Sequence, residues 1–433
     1  MAQTGDNLPA LAVHFNTTVE EIRAANPVIP ADATTLPPGF PMKIPIYSLP
    51  LWGSAYQIIP DELFVNGPAQ VGFNTQAFID AHPGWLKGIN EFVSGDQHPA
   101  GEIIDLIAVN YSVSPRMLLA LIEYMGGGLT QTELPADAPY YLGITDYAHK
   151  GLYNQLGWFA NKLNNAYYDW RIGSLTEINL LDGRLERPDP WQNAATVAFH
   201  VVFSKLFAGD SYARAVSDIG LAKAYAQLFG DPWANRSPHI PGSLTQPAFR
   251  MPFLAGKPWA YTGGPHTGWG DEGSPLSAID FAPPAISSGC TETSEGSTAV
   301  SDGIIVRRDP AVAVLDLDGD GDERTGWVVF YLHLASEDII ALNTTVKAGD
   351  PLGHPSCEGG HATGTHVHIA RKYNGEWIPA GGVLAFNLEG WVVQDGSAAY
   401  EGTLVRGTDT IIANTASDST SHIRSEVGSQ QGN

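Results

Sequence analysis

The residues best equipped to do chemistry are histidines and one aspartate in the C-terminal part of the chain. They are His266 in Pro-His-Thr-Gly-Trp, Asp280 in Ile-Asp-Phe, His333 in Tyr-Leu-His-Leu, and His366 and His368 in Thr-His-Val-His. Of 13 histidines, six (266, 333, 354, 361, 366 and 368) fall between positions 266 and 368. Imidazole and carboxylate are ligand types of catalytic zinc, which takes three protein ligands and keeps a fourth position for water. Such an ion lowers the pKa of water from about 15.7 towards about 7 and polarises a carbonyl under attack. A nearby base and a donor for the developing oxyanion complete a hydrolytic centre. Successive strand residues alternate faces, so His366 and His368 share one face with Val367 on the other. One can bind metal while its neighbour handles protons. The chain has no His-Glu-x-x-His helix, so the ligands must come from separate strands.

A second metal candidate is Asp316-Leu-Asp318-Gly-Asp320-Gly-Asp322. Carboxylates at alternating positions followed by glycine fit the start of a calcium loop. An EF-hand would need Glu at the twelfth loop position, where Trp327 stands, and the flanks read as strands. A hairpin calcium site formed by Asp316, Asp318, Asp320 and Asp322 and a solvated acidic turn both fit. The two cysteines, Cys290 and Cys357, lie in the histidine-rich segment and have no CxxC partner. They point to a disulfide in an exported protein, worth roughly 4 kcal/mol by chain entropy; two buried thiols are the alternative.

These residues need strands to position them. Residues 236–398 are rich in Gly, Pro, Ser and Thr, with short alternating runs. In Val328–Leu334, Val329, Tyr331 and His333 fall on one face and Val328, Phe330 and Leu332 on the other. The pattern predicts an antiparallel β domain. The Ser/Thr-rich tail, 404–433, lacks a core pattern and is expected to be disordered. Upstream, 68–235 carries helical stripes such as Leu152, Leu156, Phe159, Leu163 and Tyr167, with Ser114-Pro115 opening another helix. His149 and His200 lie among these stripes and read as structural. The Pro-rich 49–67 reads as a linker. Residues 4–48 hold two short helices, the second opened by the capping box Thr18-Val-Glu-Glu21, and a closing strand near Met42–Pro45. The fold class is multidomain α+β: a small helical module, an all-α middle and a C-terminal antiparallel β domain.

A net charge of −23, from 23 basic and 46 acidic residues, argues against nucleic acid and anionic membrane partners. No apolar run approaches a membrane span, and the polar start shows no signal-peptide pattern.

Three stretches resemble known families. Gly5-Asp6-Asn-Leu8, Ala12-Val-His-Phe15, Thr18-Val19, Asn26-Pro27, Pro38-Gly39 and Ile44-Pro45 resemble a LysM module. The resemblance implies a βααβ fold, with its first strand missing or cut short at Met1, that binds the N-acetylglucosamine backbone of peptidoglycan or chitin. Asn110–Gly127 is faintly similar to the helix of lysozyme-like lytic transglycosylases. There a Glu before Ser-Gly is the general acid; Met125 occupies that position here and Glu123 stands two residues earlier. Third, His266, Asp280, Tyr331-Leu-His333-Leu and His366-Val-His368-Ile resemble the lysostaphin-type zinc endopeptidases, which cut peptidoglycan peptides. This likeness spans about 250–385. It implies His266, Asp280 and His368 as zinc ligands and His333 and His366 as the catalytic pair. The gap of 14 positions between His266 and Asp280 matches the β-lytic, staphylolysin-like branch, with its extra loop beside the cleft. His354 and His361 read as loop residues. The expectation is an exported zinc metalloendopeptidase tethered to peptidoglycan by its LysM module. The alternative is a catalytically silent wall-binding scaffold or hydrolase activator.

Overall fold

The structure is a computed structural model and describes residues 1–271, 273–285 and 288–426. The chain divides into two compact units, Met1–Ser243 with Trp269–Asp271, and Leu244–Gly268 with Glu272–Asn433.

The first unit begins with two short helices, α1 (Leu8–His14) and α2 (Val19–Ala25). The Asn7 side chain caps α1 by accepting the Ala10 N–H, and Thr18 and Glu21 form the predicted capping box on α2. Leu8, Leu11, Phe15, Ile22 and Leu36 make their common core. The expected closing strand near Met42–Pro45 does not form. Ala2 and residues 39–40 exchange two backbone hydrogen bonds and nothing more, because Pro37, Pro38, Pro41 and Pro45 lack the N–H a ladder needs.

This small module is fastened to the helices that follow. His14 stacks on Trp170 with ring centroids 3.5 Å apart, and Arg171 is buried between Asp61, at 3.1 Å, and the Thr4 carbonyl. Residues 49–67 therefore do not behave as a simple linker. Ile58, Ile59, Phe64 and Val65 are fully buried, and Asp61 accepts the Ala195 N–H at the start of a helix. The prolines marked turns, but the apolar pairs between them joined the core.

The middle of the unit is built on α3 (Ala100–Tyr111), α4 (Pro115–Gly126), α5 (Leu152–Ile172) and α6 (Ala194–Ser204). Ser114 caps α4 through the Met117 N–H, and Gly127 closes it at φ +64°. Two small hairpins, Asn90–Pro99 and Ile178–Glu186, correct the all-α expectation.

The second unit is a twisted antiparallel sheet. Its principal strands are β1 (Trp259–His266), β2 (Ala278–Ala282), β3 (Gly303–Asp309), β4 (Val312–Asp316), β5 (Trp327–Leu332), β6 (Thr345–Val346), β7 (Val367–Tyr373) and β8 (His422–Ile423). They lie in the order β6-β3-β4-β5-β7-β2-β1-β8. One face carries Tyr261, Ile279, Phe281, Val329, Tyr331 and Ile369 into the hydrophobic core. The opposite face carries the polar site.

The sequence from 402 onwards departs from the disorder expected of it. Gly402–Arg406 and Asp409–Ile412 pair in a smaller sheet, and β8 joins the main sheet edge. Leu404 and Ile423 are buried in the core despite the Ser/Thr-rich composition around them; short strands need few apolar residues to anchor them. Residues 427–433 of that expectation lie outside the described residues.

Cys290 and Cys357 are joined by a disulfide.

Candidate metal centre

The register of the sheet assembles the site. Gly263, Asp280, His368 and Leu332 lie in one row across β1, β2, β7 and β5. Asp280 and His368 are thus direct cross-strand partners on one face. His266 reaches the same place through register shifts in β1 between Tyr261 and His266. Two glycines make the approach possible. A Cβ on Gly263 would sit 2.5 Å from Asp280 Oδ2, and one on Gly264 would sit 2.3 Å from the Glu401 carbonyl oxygen.

His266 Nε2 lies 3.0 Å from His368 Nδ1, and Asp280 Oδ1 lies 3.2 and 3.3 Å from them. All three residues are buried. The second nitrogen of each ring fixes the chemistry. His266 Nδ1–H donates to the Gly264 carbonyl at 2.8 Å, and His368 Nε2–H donates to the Gly268 carbonyl at 3.1 Å. In the neutral rings, both inward nitrogens then carry lone pairs, and these face a carboxylate oxygen that has no hydrogen-bond donor of its own. One cation at that point would satisfy all three. A tetrahedral ion with bonds of about 2.0–2.1 Å has donor–donor edges of about 3.3–3.4 Å, close to the spacings found. The residues fit zinc, and the two backbone carbonyls set ring orientation from outside. Burial pushes the Asp280 carboxyl upward, but the electrostatic pull of the imidazoles around it outweighs burial and holds it well below the ordinary carboxylate value.

His366 and His333 stand beside this cluster, with ring centroids 4.5 Å apart. His366 Nε2 is 3.6 Å from Asp280 Oδ2, and its Nδ1–H donates to the Gly364 carbonyl at 2.7 Å. With 14% of its side chain accessible, His366 is the most open of the five. The His333 Nδ1–H donates to the Glu358 carbonyl at 2.6 Å. Burial, aided by the charges of His366 and His368, pulls the His333 pKa down to about 4, so the ring is neutral at neutral pH.

His333 corrects the face assignment. Simple alternation puts it with Val329 and Tyr331, which enter the hydrophobic core. The strand instead ends at Leu332, and His333 takes φ +64°, a left-handed conformation that costs a non-glycine residue on the order of 1–3 kcal/mol. That twist turns its ring to the polar face, towards His366 and His368.

The other candidates lie apart from this cluster. His354 pairs with Asp338 and His361 is exposed. His149 pairs with Asp146, and His200 is buried beside Glu186. Glu123 accepts from the Leu129 and Thr130 amides and the Thr130 hydroxyl, so its carboxylate braces a turn. Asp316, Asp318 and Asp320 converge, but Asp322 turns away to Arg324, which breaks up the set of four. The carboxylates of 316, 318 and 320 accept the loop's own amides from Asp318, Gly321, Asp320 and Asp322. That is the bonding of an acidic turn.

Sequence reasoning missed Tyr400. Its ring stacks on His266 with centroids 4.2 Å apart and an interplanar angle of 17°. Reciprocal backbone bonds, Gly264 N–H to the Tyr400 carbonyl and Tyr400 N–H to the Pro265 carbonyl, hold it there. A lone tyrosine more than 130 positions from its partner gives no signal in sequence. Nor do the carbonyls of Gly264, Gly268 and Glu358, which belong to no residue type.

The Gly263 contact yields a prediction. Gly263→Ala should displace the Asp280 carboxylate and weaken zinc binding by about 10- to 100-fold while the β fold persists. Chelator competition alongside circular dichroism checks this; wild-type affinity in the variant would show that the approach has slack.

Family models match at two places: the LysM domain over residues 2–45 and the N-terminal domain of LasA over residues 57–242. Protease LasA of Pseudomonas aeruginosa (strain UCBPP-PA14) is 25% identical over 361 residues, covering 78% of this chain and 77% of that protein. The beta-lytic metalloendopeptidase of Lysobacter enzymogenes is 26% identical over 161 residues, covering 35% of this chain and 82% of its own length. Among solved structures, the M23 metalloprotease pseudoalterin matches 39% of this chain and 96% of its own at 23% identity and a TM-score of 0.33. The catalytic domain of lysostaphin from Staphylococcus simulans matches 30% of this chain and 89% of its own at 21% identity and a TM-score of 0.20.

Proposed function

From the premise that this chain is a lysostaphin-type M23 peptidase relative with an N-terminal LysM module, we propose that it is a zinc endopeptidase that hydrolyses peptide bonds in bacterial peptidoglycan. The observation that carries this is the pair of ring nitrogens, on His266 and His368, aimed with Asp280 Oδ1 at one point. These three residues would hold the ion. Zinc there would supply a Lewis acid for the scissile carbonyl and acidify the attacking water.

The chain's own residues do the rest. His366 and His333 each spend Nδ1–H on a backbone carbonyl and so present Nε2. In the neutral ring Nε2 is an acceptor. His366, the more open, takes the proton from the attacking water and returns it to the departing amine. His333 lies across from it and orients the water; once protonated, the pair supplies a donor to the developing oxyanion. The LysM module raises the local concentration of scissile bonds by holding the enzyme on glycan. The disulfide and a wall substrate support export of the protein; among the described residues no helix is long and apolar enough to cross a membrane.

The test is mass spectrometry of purified peptidoglycan after digestion. New amino termini in the stem or cross-bridge are the expected products. New sugar ends, or intact peptides with zinc bound at one per chain, would overturn the reading.

A further inference from the structure

The two members of the proton-handling pair sit on different loops. His333 is held by the 356–358 loop: the Ser356 N–H and hydroxyl both donate to the His333 carbonyl, at 2.6 and 3.1 Å, and the Glu358 carbonyl accepts the His333 ring N–H. Cys357 stands between those two contacts. His366 follows Thr365, which is fastened to the other loop. The Thr365 N–H donates to the Gly289 carbonyl at 3.2 Å, the Thr291 N–H donates to the Thr365 hydroxyl at 2.8 Å, and that hydroxyl donates to the Thr291 carbonyl at 2.5 Å. Cys290 stands between Gly289 and Thr291. Each half-cystine is thus flanked on both sides by residues that grip one arm of the pair; the Ser356 carbonyl also accepts the His366 backbone N–H at 3.4 Å, and the disulfide reinforces that join between the two grips.

We propose that the Cys290–Cys357 disulfide is a positioning element for His333 and His366. It yokes their supporting loops so that the two rings keep their spacing and their Nδ1–H tautomers. None of the residues at 266, 280 and 368 lies on either loop, so the yoke acts on proton transfer and leaves the metal alone. The inference rests on the peptidase reading for its effect on turnover, and stands on geometry for its effect on the rings.

The test uses the full-length chain with both cysteines replaced, Cys290→Ser with Cys357→Ser, because a thiol reductant would compete for zinc. Zinc content is expected to stay at that of the wild type. Turnover should fall by about 10- to 100-fold with KM within about twofold, the size expected when a reacting group is misplaced by about 1 Å. Nitrogen-15 spectra of the imidazoles should show the His333 and His366 signals moving from a single tautomer to a mixture, while His266 and His368 stay fixed. Unchanged spectra and turnover, or turnover lost only in step with zinc, would overturn the proposal. Should the double variant fail to fold, Thr365→Val cuts the hydroxyl link with the disulfide intact. It should shift the His366 signal, and Thr365→Ser should restore it; a Val variant with wild-type spectra also overturns the proposal. If the wild-type enzyme cleaves no peptide bond, the peptidase reading fails, while the ring spectra still decide whether the disulfide positions the pair.

Discussion

His368→Ala is expected to lose bound zinc and turnover together, because one of three ligand atoms is gone and the lone pair of His266 is left facing a carboxylate with no third donor. His366→Ala should keep zinc and lose turnover by about 10²- to 10⁴-fold, the range for a general base. The two residues are two positions apart on one edge of the site, yet their surroundings differ. His368 is buried, with its outer nitrogen bound to the Gly268 carbonyl; His366 is more open and 3.6 Å from Asp280. Metal analysis of both purified variants, with activity on peptidoglycan, checks the division. Equal zinc loss in the two would refute it.

The second large effect is on stability. Glu323, with 11% of its side chain exposed, lies between Arg307, at 2.8 Å, and Lys372, at 2.9 Å, and Lys372 sits on β7, the strand that carries His368. Lys372 is 1% exposed. Glu323→Ala leaves the buried Lys372 ammonium without its carboxylate, while Arg307 keeps Asp309 at 2.9 Å, and is expected to cost about 3 kcal/mol. Burial pushes the Glu323 carboxyl upward, but Arg307 and Lys372 dominate and lower it from 4.5 to about 2. A carboxyl lowered in the folded state contributes stability that is complete above its unfolded pKa and is lost as pH falls through the folded value. The wild-type protein should therefore lose this contribution between about pH 4.5 and 2, and the variant should lack that part of the acid dependence. Urea unfolding at pH 7 and pH 3 measures both. A variant as stable as wild type at pH 7 would show that the cations relax to solvent.

Much of the site was legible because its residues are chemically distinctive and their order along the chain is informative. His266, Asp280, His333, His366 and His368 are the types that zinc hydrolysis uses, and the two cysteines between them are in fact bonded. The helical stripes of the middle region and the alternating runs beyond it gave the right element types. Misreadings arose where composition and function diverge. Prolines around Ile58 and Phe64 looked like a linker, yet those apolar residues are buried; Ser and Thr around Leu404 and Ile423 looked like a tail, yet strands form there.

Local sequence fixes residue type, periodicity and capping, because those depend on neighbours within a turn or a strand. The amino-acid order by itself therefore determined which side chains could hold a metal, which segments are helix or strand, and that a capping box opens α2. The tertiary structure alone decided the rest, because it rests on contacts between distant segments. It set the row of Gly263, Asp280 and His368 across three strands, and the left-handed turn that swings His333 out of the core. It also placed the Tyr400 ring against His266 and chose the backbone carbonyls that give each imidazole its tautomer.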